Sequence, residues 1–167
     1  MKLRKRVLIP AILILLLSGA TWWMMMPSHG LFAPSTPKTI DYKAVHEAAL
    51  AGDTRKLETL LAADPNAITI GDSNGDTALH LAAFHRKLPA VQLLLKRNAN
   101  VDARNHVGMT ALHLAARIGD VQIVKTLLDY KADPNVRDSG GWTPLKWALS
   151  KHNDLVADAL RAHGARD

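Results

Sequence analysis

An all-α solenoid of about four stacked helix-turn-helix units is the fold this sequence predicts, with an apolar helix ahead of it. Three observations carry the prediction. A segment beginning at Gly108 recurs 33 residues earlier from Gly75 and 33 residues later from Gly141. Each copy holds two short apolar-periodic stretches joined by a hinge, the sequence signature of helical pairs that bury their faces only by stacking. A run of 20 uncharged residues, Val7 to Met26, precedes them.

The third unit shows the pattern most clearly. Thr110 to Ile118 and Val121 to Tyr130 are its two periodic segments, hinged at Gly119-Asp120. Thr110 can cap the first helix, because a Thr hydroxyl accepts from backbone N–H groups at a helix start. Ala115 and Ala116 are small enough for close helix approach, and Ile123, Val124, Leu127 and Leu128 form one buried stripe. Lys131 stands where Gly would follow the helix; in a left-handed conformation it costs roughly 1–2 kcal/mol. The Thr-x-Leu-His-x-Ala core at 110–115, repeated at 77–82, resembles the ankyrin repeat.

The other units vary around this one. Unit one, about 41–74, carries Ala44-Val45-His46-Glu47-Ala48-Ala49, the Gly52-Asp53 hinge, and Leu57, Leu60 and Leu61 as its second stripe. It is one residue longer, and the extra residue is expected in the turn from Asp64 to Gly71, since loops absorb insertions cheaply. Glu47 replaces the later Leu81 and Leu114, as suits a terminal unit with one face to water. Unit two, 75–107, has Arg86-Lys87 at the hinge, Pro89 in the first turn of its second helix and Asn98 as a left-handed cap. Unit four, 141–167, places Pro144 directly after Thr143 and carries Lys146 and Arg161 at formerly buried positions, which reads as a C-terminal cap.

Met1 to Arg6 is cationic, and the following run spans roughly 30 Å as a helix, about the hydrocarbon thickness of a bilayer. Cations before it and none just after predict an N-terminus in the cytoplasm and an exported C-terminal part. Leu8 to Leu17 with Ser18-Gly19-Ala20 fits a cleaved signal peptide. An uncleaved anchor with Trp22 and Trp23 at the outer interface fits as well, and the apolar run through Met26 favours it. The two readings place the domain at the inner membrane facing the periplasm, or free in the periplasm. Residues 27–40, with Pro27, Pro34 and Pro37, read as an extended linker between segment 1–26 and the repeats of 41–167.

Composition excludes several functions. Of 21 Lys and Arg, four lie in the leader; the remaining 17 face 15 Asp and Glu, so the net +6 falls to +2 and gives nucleic-acid binding little support. There is no cysteine, hence no disulfide or thiolate. No nucleophile elbow or phosphate-binding Gly motif is present, and no cofactor or small-molecule substrate is expected. His46, His80 and His113 recur in register and invite a metal reading. Stacked helices lie about 8–10 Å apart, too far for one imidazole per unit to converge on zinc, whose ligands lie about 2 Å away. Each His is instead expected to bond turn backbone or the cap Thr.

What the resemblance implies is a protein partner held by turn tips and by the exposed end of each first helix. On this sequence those positions are Asn74, Asp76, Phe84 and His85, then His106, Met109, Arg117 and Ile118, then Trp142 and Lys151, with Ser73, Val107, Ser139, Gly140 and Ser150 beside them. Large apolar residues, aromatics and Arg in such a set fit an interface, although Trp142 can fold back on its neighbour turn and Ile118 can tuck inward. The leader and small size resemble bacterial extracytoplasmic ankyrin proteins, whose relatives have been linked to assisting an enzyme such as a catalase or neutralising a toxin. A self-associating structural module is the other reading of the same face.

Overall fold

A computed structural model describes residues 41–166. The leader of residues 1–26 and the linker of residues 27–40 lie outside the described residues. Among the described residues no helix is long and apolar enough to cross a membrane.

Eight α-helices in four consecutive pairs make up the described residues. They are α1 (Tyr42–Ala51) and α2 (Thr54–Ala63), α3 (Ala78–Phe84) and α4 (Leu88–Lys96), α5 (Ala111–Ile118) and α6 (Val121–Asp129), and α7 (Pro144–Ser150) and α8 (Asp154–Ala162). The helices are short, so none is stable alone; the periodic faces must be buried by neighbours. Within each pair the helices pack on each other, the first helices stack as α1, α3, α5, α7, and the second as α2, α4, α6, α8. Alanines make the first row close: Ala48, Ala49, Ala82, Ala83, Ala115, Ala116 and Ala148 are all essentially inaccessible. Between the rows lie the second-helix stripes, including Leu57, Leu61, Val91, Leu94, Ile123, Val124, Leu127, Val156 and Leu160. The chain belongs, in architecture, to the predicted helical solenoid.

Hinges explain where the sequence departs from its own pattern. Gly52 and Gly119 take φ of 79° and 81°, and Arg86 and His152, at the same register, take 57° without being glycine. Arg86 offsets this strain by donating from its guanidinium to the Ile118 carbonyl of the next unit at 2.7 Å. After the second helices the left-handed position is filled by Asn98 (φ 61°), Lys131 (φ 68°) and Gly164 (φ 85°). Unit one does otherwise: Asp64 stays extended and the chain enters a 3-10 turn, Pro65–Thr69, that buries Ala67 and Ile68. This is where the additional residue of the first period is accommodated.

Both ends show their polar faces. Glu47 and Lys43 pair at 3.5 Å on the exposed side of α1, and Arg161 is exposed on α8. Pro144 is the first residue of α7, behind the cap Thr143, whose hydroxyl accepts from the Lys146 backbone N–H at 3.2 Å.

Candidate partner-binding face

Each turn tip is built by one side chain. Asp72 Oδ1 accepts from the N–H groups of Asn74 and Asp76 at 2.8 and 3.0 Å. Asn105 does the same for Val107 and Met109, and Asp138 for Gly140 and Trp142. A short polar side chain that bonds backbone two and four residues on closes the loop without a sheet. Neighbouring tips are then stitched: His106 N–H donates to the Asn74 carbonyl at 2.9 Å, Ser139 N–H to Val107 at 3.0 Å, and Asn105 Nδ2 to Asp76 Oδ1 at 2.8 Å. Gly75 tolerates this approach because it has no Cβ; one added there would lie 2.6 Å from the His106 ring.

The repeat histidines tie these tips to the helices. Thr77 and Thr110 form reciprocal capping boxes with His80 and His113. In each, the Thr N–H donates to Nδ1, at 3.2 and 3.0 Å, so Nδ1 is unprotonated and Nε2 carries the hydrogen. Nε2 then donates across to the next tip: His80 to the Met109 carbonyl at 3.0 Å, His113 to that of Trp142 at 3.1 Å. The sequence reading anticipated turn backbone or cap Thr; the rings engage both, with one partner in the following unit. Both nitrogens are therefore occupied by protein. Burial lowers the pKa of both imidazoles, opposed by the Met109 carbonyl and the Asp76 charge for His80, and by the Trp142 carbonyl and the Asp138 charge for His113. His46 reaches only the Ile70 carbonyl, at 2.9 Å.

Between tips and first helices lies a depression of about 470 Å³. It brings together Asn74 and Asp76 with Phe84, His85, His106 and Arg117, along with Ser73 and Val107. Phe84 and Val107 present the apolar surface, 39% and 56% exposed. Met109 also lines it, but is itself only 5% exposed, with its backbone carbonyl accepting from His80 Nε2. Asp76 is half-buried and bonded to Asn105.

Ile118, Trp142 and Lys151 do not line this depression. Lys151 is exposed at the end of α7. Ile118 is half-buried, its carbonyl held by Arg86. Trp142 is half-buried and packs against Trp147 of its own unit with centroids 4.9 Å apart, so part of the surface it was expected to offer is covered. Trp147 is fixed in turn by its indole N–H to Asp138 Oδ2 at 2.8 Å. Partial burial by itself raises the Asp138 carboxyl, but donation from Trp142, Trp147 and Gly140 outweighs it and holds the group below the usual carboxylate range.

Comparison with known proteins accounts for this arrangement. A family model described as ankyrin repeats in three copies matches residues 13–105 and 98–166. The chain is a member of the ankyrin-repeat family. Ankyrin repeat domain-containing protein 13C-A of Xenopus laevis is 39% identical over 83 residues, which is 48% of this chain and 16% of that protein. Ankyrin repeat domain-containing protein 13C of Xenopus tropicalis is 35% identical over 88 residues, 51% of this chain and 17% of its own length. The chain thus spans about a sixth of the curated relatives it matches. Ankyrin repeats are protein-interaction modules, typically without catalysis of their own.

Sequence reasoning left out the surface of unit one beside this depression. A second depression, about 610 Å³, lies at unit one and is flanked by exposed Tyr42, Leu50 and Ile70. It shares Asp72, Ser73 and Leu81 with the first, so the two depressions adjoin. The signal was available: Leu50 stands four residues after His46, as Phe84 does after His80 and Arg117 after His113. Trp147, one residue after the His position in unit four, stands instead in the register of Glu47, Leu81 and Leu114.

Proposed function

We propose that the chain binds a partner protein along this groove, presented by a domain that is exported and held at the membrane by its leader. The observation that carries the binding face is the exposed row of Tyr42, Leu50, Ile70, Phe84 and Val107 along two adjoining depressions. Such a row is costly to leave in water and matches the composition of interface cores. Stitched tips and paired histidines pre-organise the surface, so little ordering entropy is lost on binding. Export rests on the cations of residues 1–6 before the uncharged run and their absence directly after it.

The test is in-cell photocrosslinking of the full chain with a photoreactive residue at Val107. Adducts to one discrete protein that disappear when Phe84 is changed to Asp support the groove. Adducts only between copies of the chain favour the self-associating module instead, and adducts indifferent to Phe84→Asp overturn the assignment of the face. Export is read separately by a phosphatase reporter fused after Asp167 that is active only outside the cytoplasm; an inactive fusion overturns the topology.

A further inference from the structure

Arg117 lines the first depression, and among the described residues no acid is paired with its charge. Its guanidinium carbon lies 5.4 Å from the Phe84 ring centroid and 5.6 Å from that of Trp147, so rings from the two neighbouring units flank it. Asp138 fixes the Trp147 indole, the His85 ring packs edge-on against Phe84 at 5.1 Å, and Asn153 Nδ2 donates to the Arg117 carbonyl at 3.2 Å. Aromatic contact covers guanidinium faces and leaves the N–H edges free. Among the described residues the three ion pairs are Lys43–Glu47, Arg97–Glu58 and Arg161–Asp158, and no side-chain hydrogen bond uses the Arg117 guanidinium. A planar fork held in place and unpaired has the geometry that recognises a carboxylate through two parallel bonds.

We propose that Arg117 is the receptor for a carboxylate on the partner, an Asp or Glu side chain within a short segment whose neighbouring apolar residue sits on Phe84 and Val107. This rests on the groove being the binding face. The other charges in the depression, Asp72 and Asp76, lie at the tip side, where Asp72 is occupied by backbone donors and Asp76 by Asn105. An incoming acid is therefore repelled from the tips and drawn to the helix end, which fixes the direction in which the segment lies. The near balance of 17 cations and 15 acids after the leader gives a nucleic acid little support.

The test is selection of a random peptide display library on the full chain, with the recovered peptides measured against Arg117→Gln, Arg117→Lys and Phe84→Asp. The expected peptides carry Asp or Glu beside a large apolar residue, bind Arg117→Gln at least tenfold more weakly, and weaken with added salt. Arg117→Lys keeps the charge but not the fork, and is expected to fall between the two; equal circular dichroism melts show that each variant is folded. Peptides lost with Phe84→Asp but without acid enrichment, or indifferent to Arg117→Gln, overturn the carboxylate assignment while leaving the groove. Peptides indifferent to Phe84→Asp, or no peptides at all, overturn the groove reading as well.

Discussion

His113 Nε2 donates to the carbonyl of Trp142, 29 residues further on, at 3.1 Å. Its other nitrogen accepts from the N–H of Thr110, so one ring joins the cap of its own helix to the tip of the next unit. His80 repeats the arrangement one unit earlier with Met109. A proton on Nδ1 would set a donor against the Thr N–H, and burial disfavours the charge further.

Stability is therefore expected to fall with acidification. His80 and His113 have folded-state values below their ordinary 6.5, so the unfolded chain binds the extra protons. Their contribution is complete above about 6.5 and is lost as pH drops from there toward the folded values. The depressed Asp138 carboxyl acts in a lower window, contributing above the ordinary 3.8 and losing that as pH falls through its folded value. Urea midpoints between pH 7.5 and pH 5 measure the first effect. His113→Gln is expected to flatten the dependence; an unchanged slope in that variant would assign it elsewhere.

Leu127 is inaccessible between α6 and its neighbours. Leu127→Ala is expected to cost about 2–5 kcal/mol, the range for truncating a buried leucine. Chemical denaturation reads it directly, and a loss under about 1 kcal/mol would mean that the site collapses around the cavity.

Gly119 carries two constraints at once. Its φ is 81°, and a Cβ there would lie 2.5 Å from Asn153 Oδ1, whose amide caps the end of α5 through the carbonyls of Ala116 and Arg117. Gly119→Ala is expected to destabilise by more than the roughly 1 kcal/mol lost at an exposed left-handed site. The excess should vanish in an Asn153→Ala background, which a double-mutant cycle measures.

Lys131 is exposed and left-handed at φ 68°. Lys131→Gly removes the strain and is expected to stabilise by about 1 kcal/mol. A lower thermal midpoint would show that unfolded-chain entropy dominates at this position.

The helical pairs were legible in the sequence because their evidence is periodic. The stripe of α6, the hinge at Gly119, the cap at Lys131 and Pro144 at the head of α7 each follow from local spacing and backbone preference. The groove was only half legible. Phe84, His85, His106 and Arg117 come together as the register implies, and Leu50 was readable by the same arithmetic.

Local sequence determined which residues form helices, where the chain turns and which face is apolar, since these depend on neighbours within a few residues. Stacking decided the rest. Whether Met109 projects or is buried and whether Arg117 finds an acid or two rings depend on contacts between units about 30 residues apart. Such contacts exist only once the repeats have packed, because burial and hydrogen-bond geometry across units set the side-chain positions that period and propensity leave open.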